Sequence, residues 1–281
     1  MSTREILAIS TGRATSDGAG VRLTRLFGGA APERFDPFLM LDEFGSDNPD
    51  EYIAGFPPHP HRGFETITYM IEGRMRHEDH LGNVGLLESG GVQWMTAARG
   101  VIHSEMPEQK NGLMRGFQLW LNLPAASKMS DPDYRDFAPA QIPKVRLPCG
   151  IEAVVIAGCF RADGLDQPGA VERPDTDPQL YDLQLPPGSD IEPTLPEGHR
   201  LLLYVFEGEV SVSGETVAKN QLARLSDEGA LRLSSASGAR VLLLAGRPIE
   251  EPIVQYGPFV MNSREEIEQA LRDVREGVFT D

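Results

Sequence analysis

The sequence predicts a mostly β protein whose two halves repeat one fold and whose tail is a helix. Three observations carry this. The chain of 281 residues holds 29 glycines and 22 prolines, and short alternating apolar runs lie between these turn-formers. Tyr204-Val205-Phe206-Glu207-Gly208 repeats Tyr69-Met70-Ile71-Glu72-Gly73 residue type for residue type, 135 positions later. Finally, Ser263-Arg264-Glu265-Glu266 reads as a capping box, followed by Ile267, Ala270, Leu271 and Val274 on one helical face and by Gly277 as a stop.

Taken in order, Ile6 to Leu26 alternates weakly around Asp17-Gly18-Ala19-Gly20, a turn between two strands. Phe35 to Phe44 is a dense apolar run read as a buried strand, with Asp42 and Glu43 as hydrogen-bonded structural acids. The polar, proline-rich loop from Gly45 to Pro58 leads into His59-Pro60-His61 and is placed to wall a site. A strand follows to Tyr69-Met70-Ile71-Glu72-Gly73. The charged run Arg74 to His80 then turns at Gly82-Asn83. His77 and His80, three apart, point to opposite faces of a strand and are expected to be solvated. Gly90-Gly91 opens the strand that carries Trp94 and leads to His103. Phe117 to Leu123 alternates, with Trp120 expected in the core or lining a pocket. Prolines at 124, 132, 139, 143 and 148 mark an irregular linker, which divides the chain into 1–135 and 136–281. His199, in Pro-Glu-Gly-His, reads as exposed.

Bulk properties exclude several classes. Forty-two acids against 26 bases give a net charge of −16, which repels phosphate backbones and anionic membranes. Two cysteines, Cys149 and Cys159, make no disulfide framework. The N-terminus opens no long apolar run, and no stretch approaches the ~20 apolar residues of a membrane helix. A soluble, cytoplasmic protein is expected.

The chemistry concentrates at His59-Pro60-His61 and His103-Ser104-Glu105. Side chains two apart on a strand share a face, so His59 pairs with His61 and His103 with Glu105. On neighbouring strands the two pairs bring three imidazoles and one carboxylate to a common point. Such a set suits a divalent first-row ion, with positions left open for substrate; ordinary polar groups at a chance spacing are the alternative. Pro58 and Pro60 stiffen the first pair. At the 135-residue offset, His59, His61, His103 and Glu105 fall on Thr194, Pro196, Gly238 and Arg240, so the second half carries no such set.

Gly55-Phe-Pro-Pro-His59-Pro-His61-Arg-Gly-Phe-Glu65 with Gly73, and then Ala98-Arg-Gly100-Val-Ile-His103, resemble the two cupin motifs. Asp36-Pro-Phe-Leu-Met-Leu-Asp-Glu-Phe44, Gln93 to Glu105, and Tyr256-Gly-Pro-Phe-Val-Met-Asn262 narrow the resemblance to the pirin family. It implies an all-β bicupin: two jelly-roll β-barrel domains with a C-terminal helix, the metal lying in the N-terminal domain. It also implies His59, His61, His103 and Glu105 as metal ligands. Many other cupins use the glutamate matching Glu65 instead. That residue lies roughly 13 Å along an extended strand from His61, so it is expected behind the ligands, accepting a hydrogen bond from a ligand's free N–H. Reaching the ion itself would take a bend, at Gly63 for example. Ala98 departs from the proline common in cupins.

The resemblance implies iron(II) first, with Ni, Cu, Mn, Co and Zn also chemically admissible. Bacterial pirins are similar to flavonol dioxygenases, which open the heterocycle of quercetin with O2 and release carbon monoxide. Glu105 would then serve as ligand and catalytic proton acceptor, with Phe56, Phe64 and Trp94 available to stack on a flat flavonol-like substrate. The alternative is an iron-dependent redox-sensing regulator that binds a protein partner, a transcription factor or a metabolic enzyme, as other pirins do.

Overall fold

In the computed structural model, residues 3–29 and 35–281 are described. They form 25 short strands and one α-helix, as the turn-rich composition predicts. Contacts group the chain into two compact units: Arg13–Pro139 with Ile249–Asp281, and the segment up to Gly12 with Ala140–Pro248.

The first unit has a seven-stranded antiparallel sheet and a four-stranded one. The larger runs in the order Asp133–Phe137, Val92–Thr96, Phe64–Glu72, Met114–Asn122, Phe38–Ser46, Val21–Phe27, Arg13–Asp17. The smaller is Phe56–His61, Val101–Pro107, Arg74–Asp79, Val84–Glu88. Phe56–His61 contains Pro57, Pro58 and Pro60 and lies at its sheet's edge, where a missing N–H costs no ladder bond. The expected turn at Asp17-Gly18-Ala19-Gly20 joins Arg13–Asp17 to Val21–Phe27. Asp42 is bound by Arg25 through two hydrogen bonds of 2.9 and 2.7 Å, and Glu43 by Arg115 at 2.9 Å. Both acids are structural, as expected.

The second unit repeats the order of the larger sheet: Ile6–Thr11, Gln221–Leu225, Arg200–Val212, Ala239–Gly246, Gln179–Leu185, Glu152–Ala157, Lys144–Arg146. The echoed pentapeptides occupy equivalent strands. Glu72 faces Arg115 across its ladder, and Glu207 faces Arg240. Arg115 binds Glu43 and Arg240 binds Asp182 in the same way. Arg240 therefore matches Arg115, and the constant 135-residue offset that set it opposite Glu105 fails because the intervening loops differ in length. The interior here is apolar, with Leu203, Val205, Val241 and Leu243 at 0% exposure.

Three expectations need correction. A cut between 135 and 136 would divide the strand Asp133–Phe137, which pairs with Val92–Thr96; the supposed linker contributes an edge strand because Tyr134 and Asp136 meet the Gln93 amide at 2.9 and 3.2 Å. The termini also do not follow the linear division. Ile6–Thr11 pairs with Gln221–Leu225, and the tail after Ile249 belongs with the first unit. His199, read as exposed, is buried, its Nε2 2.9 Å from Asp177 Oδ2.

The tail helix spans Arg264–Glu276, with the Ser263–Glu266 capping box formed and Gly277 left-handed at its end. Ile267 and Ala270 are buried with Phe259, Met261 and Phe279, while Val274 is exposed. Both cysteines are free thiols. Among the described residues no helix is long and apolar enough to cross a membrane.

Candidate metal centre

Phe56–His61 and Val101–Pro107 are antiparallel neighbours, with His59 opposite His103 and His61 opposite Val101. The register shifts between His103 and Glu105, which faces Phe56. The pairing brings the rings together. Centroids lie 4.7 Å apart for His59–His61, 4.4 Å for His59–His103 and 5.0 Å for His61–His103. One potential ligand atom from each of the three lies within 4.8 Å of the others.

Hydrogen bonds and burial prepare the three rings differently. His59 Nδ1 lies 2.8 Å from the Pro57 carbonyl, which only accepts, so Nδ1 donates there and Nε2 is the nitrogen left to face another partner. Burial pushes His61 well below the ordinary histidine value, His59 adds to the fall and the Pro258 carbonyl opposes it. Burial does the same to His103, reinforced by His61, His59 and His77. His61 Nδ1 and His103 Nε2 are buried without a hydrogen-bond partner. An unsatisfied polar nitrogen in a dry site is costly, and three imidazoles suit a borderline divalent metal. The residues fit such an ion.

Glu105 lies outside that trio but lines the same cavity. Its Oε1 accepts the Thr68 hydroxyl at 3.0 Å. Gln118 Oε1 is 2.5 Å from the same hydroxyl, so one proton serves two acceptors. Glu65, on the strand Phe64–Glu72, accepts from Trp94 Nε1 at 3.0 Å and Thr96 Oγ1 at 2.6 Å. Gly63 supplies the turn before it, at φ 90°; a Cβ there would meet the Val260 carbonyl oxygen at 2.0 Å. Ala98 has φ 43°, which proline's ring forbids. The departure from the cupin pattern follows from the backbone.

The cavity has a volume of about 840 Å³ and is walled by Phe56, Trp120, Met40, Met75 and Leu23 besides His59, His61 and Glu105. Pro57 and Pro58 extend the wall expected from their loop, and Tyr256 stands exposed at the rim. Trp120 meets His61 edge-on at 5.3 Å. Of the three aromatics considered for stacking, Phe56 lines the cavity, whereas Phe64 and Trp94 are core residues at 0% and 1% exposure.

His77 corrects the sequence reading most. It is fully buried, not solvated, with its Nδ1 3.3 Å from His103 Nδ1. The pattern Met75, His77, Asp79 on one strand face held the signal; comparison of His77 with His80 concealed it. His80 is exposed, as expected, and its Nδ1 accepts from the Ile102 N–H at 3.2 Å.

Known proteins resemble this chain along nearly its whole length. The family model "Pirin" matches residues 20–121 and "Pirin C-terminal cupin domain" matches residues 180–280. A Pseudomonas aeruginosa protein named "Putative quercetin 2,3-dioxygenase" is 66% identical, covering 98% of each chain. A "Pirin-like protein" of Caulobacter vibrioides is 47% identical over 99% of this chain and 100% of its own. The crystal structure of a quercetin 2,3-dioxygenase from Acinetobacter baumannii superposes with TM-score 0.90 at 34% identity, covering 99% of each chain.

Proposed function

Because the chain belongs to the pirin family and carries that family's two cupin domains, we propose that it is a metal-dependent dioxygenase that opens flavonols with O2. The observation that carries this reading is the cluster of three imidazoles, two with unsatisfied buried nitrogens, of which His59 and His61 line an aromatic-walled cavity with the Glu105 carboxylate in its wall. The ligand set is His59, His61, His103 and Glu105, all in the first unit; the second unit's apolar interior serves as scaffold. An ion held there, iron(II) in the first instance, supplies Lewis acidity toward a substrate hydroxyl and a route for electrons to O2.

The chain's own side chains do the rest. A cavity of about 840 Å³ lies within the range of small-molecule sites. Phe56 and Trp120 give a flat aromatic substrate faces to lie against, while Met40, Met75 and Leu23 exclude water. Glu105 takes the proton of the 3-hydroxyl. Its Oε1 is held by Thr68, which leaves Oε2 to receive that proton.

The test is anaerobic loading with iron(II), then oxygen uptake with quercetin. One carbon monoxide should appear per O2 consumed, and His103→Ala should abolish both. No flavonol turnover by protein loaded in turn with iron, nickel and manganese would end the enzyme reading. Partner capture that differs between reduced and oxidised iron would then favour a regulator.

A further inference from the structure

His103 is met by His77, and His77 by Asp79, neither of which lines the cavity. Asp79 Oδ1 accepts the Leu81 and Asn83 backbone N–H groups, each at 3.0 Å, and Oδ2 accepts the Asn83 side-chain amide at 2.8 Å. Both oxygens are thus acceptors. His77 Nε2 lies 3.4 Å from Oδ2, with both side chains at most 1% exposed. A nitrogen facing an oxygen that only accepts carries the proton. A neutral His77 then has its lone pair on Nδ1, which faces His103 Nδ1 at 3.3 Å. Two lone pairs cannot face each other, so His103 Nδ1 carries the hydrogen and donates it. His103 Nε2, buried and without a partner, is left with its lone pair.

The opposite arrangement fails twice. A hydrogen on His77 Nδ1 would put its Nε2 lone pair against the Asp79 carboxylate. It would also leave an N–H on His103 Nε2 with no acceptor. Tyr134 stacks on the His77 ring at 4.2 Å and 21°, and its hydroxyl is tied to Asp136 at 2.7 Å, so the ring is held in plane.

We propose that Asp79 and His77 are positioning residues, a carboxylate–imidazole relay that fixes His103 as the Nδ1–H tautomer with its Nε2 lone pair presented to the site. The tautomer follows from the hydrogen bonds of an uncharged His77; its consequence for metal binding rests on the reading of the site given above. Relays of this kind orient metal-bound histidines, and their loss costs about 10–100-fold in affinity.

The experiment uses full-length, metal-free protein labelled with 15N-histidine, whose two-bond 1H–15N correlations report each tautomer, followed by zinc(II) titration against a competing chelator. Wild type should show His103 as Nδ1–H. Asp79→Asn turns a donor toward His77 and keeps Oδ1 for the turn; it should reverse both imidazoles, shift His103 to Nε2–H and weaken zinc binding about 10–100-fold. His77→Phe preserves the stack on Tyr134 and should weaken zinc similarly, while His77→Gln, which returns a carbonyl acceptor, should recover most of the loss. Wild-type His103 found as Nε2–H, or a tautomer unmoved in Asp79→Asn, overturns the relay. If the tautomers behave as stated and wild type binds no zinc, iron or nickel, the relay stands and the metal reading falls.

Discussion

Arg62 Nη1 lies 2.6 Å from Asp273 Oδ2, so the residue after His61 is tied to the C-terminal helix. The same guanidinium donates to the Arg99 carbonyl, donates to the Phe279 carbonyl at 3.1 Å, and stacks 4.3 Å from the centre of the Phe279 ring. The tail thus braces the strand that carries two of the proposed ligands.

Arg62→Met should therefore destabilise the protein by about 3 kcal/mol, since it strands a largely buried acid and two carbonyls. Arg62→Lys should recover less than half, lacking the planar fork. Urea midpoints measure both, and a loss below about 0.5 kcal/mol, the level of an ordinary surface substitution, would contradict the brace.

Metal should stabilise the fold through mass action. At a free zinc(II) concentration of 100 times Kd the gain is about 2.7 kcal/mol, seen as a rise in Tm that a chelator reverses. His59→Ala and His103→Ala should show no such rise.

Glu105→Gln should retain a carbonyl ligand yet lose about 10²–10⁴-fold in turnover with quercetin, the range for a removed general base. Thr68→Val, which deletes only the hydroxyl held by Glu105, should cost less, with Thr68→Ser restoring activity. Steady-state oxygen uptake decides. Equal effects in Thr68→Val and Thr68→Ser would remove Thr68 from the account.

Lys128 is 1% exposed and donates to the Gly63 carbonyl at 2.6 Å, Asn122 Oδ1 at 2.7 Å and the Val260 carbonyl at 2.9 Å. Burial lowers its pKa to about 8, against the pull of Glu251, Glu266 and Asp36. The native value lies below the unfolded one, so from about pH 8 to 10.5 the unfolded chain holds a proton the native chain has released. This group's contribution to stability therefore rises with pH, by about 1 kcal/mol at pH 9. Heteronuclear NMR of the Lys128 side chain should give a midpoint near 8; a midpoint above 10 would contradict it.

Much of this was legible in the sequence because it is local. The parity of His59 with His61 and of His103 with Glu105 follows from the strand period, and the capping box and Gly277 mark the helix at both ends. What stayed hidden depends on partners far along the chain. The alternation of Ile6–Thr11 shows a strand but not that its neighbour is Gln221–Leu225. His77 sits in a charged run that reads as solvated until Tyr134, 57 residues later, closes over it. His199 looks like a loop residue until Asp177 reaches it.

The central claim is that one ion is held by His59, His61, His103 and Glu105. The most direct measurement is an anomalous difference map from crystals grown anaerobically with iron(II). The account predicts a single peak in the first unit, about 2.0–2.2 Å from one nitrogen of each imidazole and from a Glu105 oxygen, distances usual for such ligands. An empty map between the three rings, or a peak held by Glu65 in place of Glu105, would contradict it.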